Sequence, residues 1–206
     1  HTHNIRKVVE PVLQSGVGTI IYLPFHQNEL SLGGSSFAQV LHQVGNRAPD
    51  VSDATYFANC FQAVQSQISQ NNILAGHDIG SGGWITTLLE MCFAENQLGA
   101  TIDATAIPAK DWMTLLFHEN PGVLLQVTDM LLFAEELSAK QINFYPLGKT
   151  NNSGNVQLQF HENQAALNVA TYRDAWFYTS YLLDSHQTKN GLAKMRFDNY
   201  KNQGLQ

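Results

Sequence analysis

Between His77 and Gly83 the chain reads His-Asp-Ile-Gly-Ser-Gly-Gly, the stretch whose residue types and spacing best suit chemistry. A short apolar run, Ile73–Gly76, leads in as a strand, and Trp84–Phe93, apolar nearly all round, leads out as a buried helix. Glycines let a backbone turn tightly and approach a ligand closely. The first N–H groups of a helix lack intrahelical partners and carry partial positive charge, so they suit phosphate. A carboxylate does not bind phosphate, but Asp78 can hold a Mg²⁺ that bridges to one. Asp78 is therefore a candidate metal ligand, and Gly80, Ser81, Gly82 and Gly83 are candidate nucleotide- or phosphate-binding residues. The competing account is a tight strand-to-helix connection in which Asp78 or Ser81 caps the helix. Spacing alone leaves both accounts open.

A second glycine-rich start to a helix, Leu32-Gly33-Gly34-Ser35-Ser36, makes Gly33, Gly34 and Ser35 anion candidates by the same physics, although a simple capped turn explains them more readily. His118-Glu119-Asn120-Pro121-Gly122 gathers polar groups at a helix end, and Pro121 and Gly122 explain it as a helix stop. Glu90, inside the apolar helix, reads as an interface charge or the partner of a buried cation, with no partner evident in the sequence. Tyr172, Trp176 and Tyr181 read as core packing or a domain interface more readily than as a stacking surface. There is no Cys-His pair at ligand spacing, no G-x-S-x-G and no Walker loop, so the chain shows no catalytic set.

The elements that must position these residues follow from periodicity. Val17–Leu23 is a β-branched run that reads as a buried strand, and a short helix carrying Phe37, Val40 and Leu41 follows the first glycine pair. Ser52 or Asp53 caps a longer helix whose Phe57, Cys60, Phe61, Val64 and Ile68 share one face. An edge strand is expected near Ala100–Ala104, a short helix at Trp112–Leu116, a strand at Gly122–Val127 and a helix at Asp129–Ala139. Strands follow near Ile142–Leu147, Val156–Phe160 and Ala165–Val169, the first two joined across the Asn151–Gly154 turn. A last helix carries Tyr172, Ala175, Trp176, Thr179 and Leu183 on one face, and Lys189–Gln206 reads as a polar linker. Strands and helices in this order predict an α+β domain, a mixed β-sheet covered by helices. The expected division is a lead-in over 1–16, the domain over 17–170, and a helix and linker over 171–206.

The totals bound the partners. The 206 residues carry a net charge of −6, which argues against nucleic-acid or anionic-membrane binding. Nothing approaches the roughly 18 apolar residues needed to span a bilayer, and no signal peptide is evident. Charged residues make up only 14%, against about 25% in a typical domain; covered surfaces and compositional scatter explain this equally well. Cys60 and Cys92, on apolar helix faces, suit a reducing cytosol. His1-Thr2-His3 has metal-chelating imidazoles but reads more readily as an appended tag, and the absence of an initial Met marks a piece of a longer chain.

Several of these motifs carry a family resemblance. Leu32-Gly33-Gly34-Ser35-Ser36-Phe37-Ala38-Gln39-Val40, Leu74-Ala75-Gly76-His77-Asp78 with Gly82-Gly83, Thr87-Leu88-Leu89-Glu90-Met91-Cys92-Phe93-Ala94, Phe117-His118-Glu119-Asn120-Pro121-Gly122-Val123 and Tyr172-Arg173-Asp174-Ala175-Trp176 resemble segments of the formylglycinamide ribonucleotide amidotransferases, within the aminoimidazole ribonucleotide synthase superfamily. The likeness runs from about Val17 to Lys201 and is most specific in the block from His77 to Met91. It implies the second C-terminal-type domain of the synthetase half, with a mixed sheet covered by helices.

The whole enzyme so implied converts formylglycinamide ribonucleotide, glutamine and ATP to formylglycinamidine ribonucleotide, glutamate, ADP and phosphate in purine biosynthesis. The cofactors are Mg²⁺ and ATP or ADP, and the partners are preceding synthetase domains and a following glutaminase domain of the same polypeptide. The resemblance makes Asp78 a Mg²⁺ ligand at a bound nucleotide. Gly80 and Ser81 depart from the family pattern of Ser and Asp, so the hydroxyl that touches nucleotide is missing at 80 and Ser81 is the one available. The family's catalytic groups lie in other domains, so the isolated chain is expected to be inactive, in a cytoplasmic setting. The alternatives are a non-catalytic scaffold and another ATP-dependent synthase of the superfamily; the extended segment from Tyr172 to Lys201 speaks against the latter.

Overall fold

The computed structural model describes residues 7–95 and 97–202; the His1-Thr2-His3 motif lies outside them. The chain divides into two compact units, residues 1–169 and 170–206. The first is built on a seven-stranded mixed sheet. In chain order its elements are β1 (Thr19–Pro24), α1 (Ser36–Val40), α2 (Ala54–Ser69), β2 (Ile73–Asp78), α3 (Gly83–Glu90), β3 (Gly99–Asp103), α4 (Trp112–Phe117), β4 (Gly122–Val127), α5 (Met130–Ala139), β5 (Tyr145–Asn151), β6 (Asn155–Phe160) and β7 (Asn163–Asn168). The α+β expectation holds.

Across the sheet the strands run β2-β4-β1-β5-β3-β6-β7. Every neighbouring pair is antiparallel except β3 and β6, where Ala100 faces Val156 and Ile102 faces Leu158. β1 and β4 pair over their full length, Thr19 opposite Val127 and Pro24 opposite Gly122. Both are central, and alternation along them feeds two cores, because successive side chains leave opposite faces of a strand. Ile20, Tyr22 and Leu124 join Trp84, Leu88 and Leu115 of α3 and α4 on one face. Ile21, Leu23, Leu125 and Val127 join Tyr56, Cys60, Val64, Phe133 and Leu137 of α2 and α5 on the other. Gln126, fully buried, bonds to the main chain of Gln14 and Val17, so a polar side chain in the sheet is satisfied by the segment preceding β1.

Four local expectations are corrected. The strand near Ala100 is central rather than an edge, because β3 lies between β5 and β6. For the same reason the Asn151–Gly154 turn closes no hairpin: β5 and β6 pair with β3, not with each other. Phe61 is 53% exposed; the buried stripe of α2 is Tyr56, Cys60, Ala63, Val64 and Gln67. Gln67 belongs inside because it donates to Glu136 of α5 at 2.7 Å while its carbonyl takes the amide of Asn72 at 2.5 Å. Val40 and Leu41 of the first short helix are likewise exposed, and Phe37 alone stacks inward, on Phe117 at 4.4 Å.

The second unit is a helical pair. α6 (Val169–Gln187) is the expected last helix, whereas α7 (Leu192–Asn199), running into a 3₁₀ turn at Tyr200–Asn202, stands where a linker was expected. The face of α6 expected to be buried is turned out, with Tyr172, Trp176 and Leu183 all more than two-fifths exposed. Its neighbour carries the seam instead, Phe177 stacking on Tyr200 at 4.0 Å and Tyr181 on Phe197 at 4.9 Å. Arg196 clasps Asp184 with both its Nε and one terminal nitrogen. No helix among the described residues is long and apolar enough to cross a membrane.

Glu136 ties α5 to α2. Burial opposes its ionisation, but hydrogen bonds from Lys140, Ser66, Gln67 and Gln70 overcome this and pull its pKa down to about 2. A carboxyl depressed on folding adds stability above its unfolded pKa, near 4.5, that is lost as pH falls toward 2. Solvent screening of this rim position reduces the effect. Glu136→Gln is expected to cost about 1–2 kcal/mol at pH 7 and to flatten the stability profile between pH 4.5 and 2, read by urea denaturation across that range.

Candidate functional site

The last residues of β2 and the start of α3 form the turn singled out above. β2 extends one turn of pleat further than its apolar run, so His77 and Asp78 belong to the strand and pair with Leu124 and Val123. Ile79 is anchored by its N–H to Gly122 O at 2.9 Å. α3 then opens on Gly82, in the left-handed region with φ 91°, and Gly83 follows at φ 79°. A β-carbon on Gly83 would stand 2.6–2.7 Å from the main chain of Phe117, so this position needs glycine both for its backbone angle and for the approach of α4. The helix stops at Glu90, sooner than its apolar run, because Cys92 and Phe93 bond three residues back instead of four.

No side chain caps α3. Asp78 points outward, its side chain 85% exposed. Ser81 is exposed as well, and the N–H groups of Gly80 and Ser81 meet no acceptor among the described residues. Beside them His77 sits between two carboxyls. Its Nδ1 is 2.8 Å from the main-chain oxygen and 3.4 Å from the carboxylate of Asp78, and its Nε2 is 3.4 Å from Glu90. Glu90 thus has an imidazole partner, which the sequence did not reveal because the two lie on different elements. An apolar groove of about 380 Å³ runs along β2, walled by Val9, Val64, Ile73 and Leu125, with His77 and Asp78 at its lip.

The two glycine-rich turns, more than forty residues apart in the chain, meet. Ser36 donates its N–H to Glu119 Oε1 at 2.9 Å, and Gly82 donates to the same oxygen at 2.8 Å. The segment that supplies Glu119 is the one that reads as a plain helix stop. It also provides Asn120, whose carbonyl accepts from Ser31 N at 3.0 Å, Pro121, whose oxygen accepts from Phe25 N, and Gly122, which holds Ile79. Around Gly33–Ser35 the main-chain donors are used within the protein. Gly34 N bonds to Val44 O and Ser35 N to Leu32 O, while Ser35 Oγ caps α1 through Ala38 N. Gly33 is glycine because the main chain of Arg47 packs where a β-carbon would stand. Those three residues shape a capped turn and lend no donor to solvent.

Around this junction several polar atoms are buried without a partner among the described residues, notably both ring nitrogens of His26 and His118. His118 is fully buried against Tyr22, ring centroids 5.7 Å apart. Burial and the neighbouring His26 lower its pKa to about 3. The two cysteines are buried free thiols that burial pushes up to about 11 for Cys60 and about 12 for Cys92, values that remove them as nucleophiles at neutral pH. No three His, Cys, Asp or Glu side chains converge as a metal cage among the described residues. A lone outward carboxylate fits a hydrated Mg²⁺ that takes one or two carboxylates and completes its shell with water and phosphate.

Residues 16–161 match the family described as AIR synthase related protein, C-terminal domain. The chain belongs to that family. It is 32% identical over 203 residues to a probable phosphoribosylformylglycinamidine synthase, chloroplastic/mitochondrial, of Arabidopsis thaliana, covering 96% of this chain and 14% of that protein. It is 29% identical over 194 residues to the phosphoribosylformylglycinamidine synthase of Homo sapiens, covering 90% of this chain and 14% of that protein. The chain thus spans about a seventh of these curated relatives. Among solved structures, Thermotoga maritima PurL complexed with ATP superposes with a TM-score of 0.61 at 14% identity, over 81% of this chain and 27% of that one. The same protein complexed with FGAR gives 0.62 at 14% identity, over 82% and 30%. At these identities the likeness speaks for the fold.

His118 yields a prediction. Its neutral form is favoured on folding, so its contribution is complete above pH 6.5 and is lost as pH falls from 6.5 toward 3, where the unfolded chain takes up a proton that the folded chain refuses. The loss is about 3 kcal/mol by pH 4. His118→Leu removes no hydrogen bond and is expected to leave stability at pH 7.5 within about 1.5 kcal/mol of wild type. Denaturant titrations between pH 7.5 and 4 should show a correspondingly shallower fall in the variant.

Proposed function

We propose that this chain is one wall of a nucleotide site in an ATP- and glutamine-dependent amidotransferase, converting formylglycinamide ribonucleotide to formylglycinamidine ribonucleotide. The observation that carries the proposal is the open turn: Asp78 projects into solvent at the end of β2, while glycine and not Asp78 begins α3. A scaffold whose turn served only the fold would be expected to fold Asp78 or Ser81 onto the helix start. The names of the relatives supply the reaction, and the ATP complex of a like-folded protein supports a nucleotide.

In this reading Asp78 holds Mg²⁺, and the N–H groups of Gly80 and Ser81, with the Ser81 hydroxyl, face the phosphates. Gly82 and Gly83 set the turn, and Gly33, Gly34 and Ser35 brace it from the neighbouring loop. Bound Mg²⁺ would draw negative charge from the phosphate oxygens. The side chain at 80, where the family has serine, is absent, so the main chain of 80 and 81 takes a larger share of the contact. Preceding synthetase domains and a following glutaminase domain supply the remaining walls, the ammonia and the groups that carry the chemistry. Buried free thiols agree with a reducing, cytoplasmic compartment.

Two measurements test this. In the full-length protein, Asp78→Ala is expected to lower turnover by about 10- to 100-fold, the range for disturbing a metal's ligand environment; unchanged turnover would overturn the role of Asp78. In the 206-residue chain, Mn²⁺ with ADP should broaden the amide resonances of Asp78, Gly80 and Ser81, and Asp78→Ala should abolish that broadening.

A further inference from the structure

We propose that Glu119 is the positioning residue of this site: an internal anion that clamps the two glycine turns together and thereby aims Asp78 and the N–H groups of Gly80 and Ser81. The proposal deepens the nucleotide reading and rests on it for the last step. The geometry begins with two amides from distinct elements converging on one carboxylate oxygen, Ser36 N at 2.9 Å and Gly82 N at 2.8 Å. The positive end of α3 therefore already has its counter-charge. Charge-assisted bonds of this kind are short and strong, and here they substitute for the missing side-chain cap.

Glu119 is itself held from both sides. Upstream, the main chain of Phe117 and His118 packs against Gly83, with no room for a β-carbon between them. Downstream, Asn120 accepts from Ser31 and Gly122 accepts from Ile79, so the segments on either side of the carboxylate are pinned to both turns. Ile79 is committed to Gly122, Gly82 to Glu119 and Gly83 to the carbonyl of Gly80 at 3.1 Å, so within the turn the N–H groups of Gly80 and Ser81 are the ones without an acceptor among the described residues. The carboxylate thus selects which amides of the turn are left for a ligand. Phosphate cannot take the place of Glu119 without breaking the link to α1.

Amide hydrogen exchange in the 206-residue chain tests the clamp, and Mn²⁺–ADP broadening tests what the clamp is for. In Glu119→Ala the amides of Ser36 and Gly82 are expected to exchange at least about tenfold faster together, while Tyr22 and Leu124 in the central strands stay protected. Glu119→Gln, which keeps an acceptor oxygen and loses the charge, should lie between, and added formate should restore protection in Glu119→Ala. The broadening at Gly80 and Ser81 should weaken in Glu119→Ala and recover in Glu119→Gln. Unaltered exchange at Ser36 and Gly82 overturns the clamp, and so does acceleration at only one of them. Accelerated exchange with undiminished broadening overturns the positioning role. If Glu119→Ala loses protection throughout the sheet, Glu119→Gln decides: exchange equal to wild type at both amides overturns the charge's part. Unchanged turnover of Asp78→Ala in the full-length protein would refute the nucleotide reading, whereas the clamp is judged by exchange alone.

Discussion

Two amide protons that end on one carboxylate oxygen organise the end of the domain that carries the candidate site. A helix start leaves its first N–H groups without partners, and at a half-buried junction each one that stays unpaired is costly. Here α3 begins on two glycines that have no side chain to offer, and α1 is a single turn that would not persist alone. The carboxylate of Glu119 closes both accounts at once, and its delivery requires α4 to lie against Gly83 at main-chain distance. The close packing of α3 on α4, the path of the chain from His118 to Gly122, and the Ile79–Gly122 bond beyond the β2–β4 ladder together bring that one group to that one place.

Much of the architecture was legible from periodicity because burial is written into it. β1 and β4 are apolar at successive positions since both of their faces are covered, and Asp53, Asp111 and Asp129 stand before their helices as caps. What periodicity does not encode is who sits beside whom. β3 shows the alternation of a strand with one wet face, which suggests an edge; its parallel partner β6 is more than fifty residues away and leaves no local trace. The buried stripe of α2 adds Tyr56, Ala63 and Gln67 to the expected face and leaves Phe61 out; a phenylalanine outranks a glutamine on any hydrophobic scale, yet Gln67 faces in once Glu136 and Asn72 satisfy it. α7 leaves no apolar period in the sequence because its buried Ala193 and half-buried Phe197 and Tyr200 are diluted among polar neighbours.

The candidate site is legible in the same uneven way. Its glycines, Asp78 and Ser81 announce themselves by type and spacing. Glu119 does not, because a glutamate before Asn-Pro-Gly looks like the end of a helix and is one; its second role exists only where the chain returns. Glu90 and His77 are similar: an acid in an apolar helix was visible, but its partner lies on the strand that the helix packs beside. The family resemblance supplied Asp78 with a role that spacing left open, and it could not supply the clamp, which is a relation between three segments and not a motif in any of them.

The division of tasks within the turn has a physical logic. Had Asp78 or Ser81 capped α3, the helix would have been stabilised locally by about 1 kcal/mol, and the side chain best suited to a hard cation would have been consumed by its own backbone. Glycine at the start of the helix forgoes that stabilisation and accepts a left-handed backbone, and both costs are offset from outside the turn by a carboxylate that faces inward. The outward carboxylate and two amides are then left unclaimed. A helix start capped from a distance is less economical than one capped by its own sequence, but it leaves the turn's own side chains and two amides open, and that is the arrangement found between His77 and Gly83.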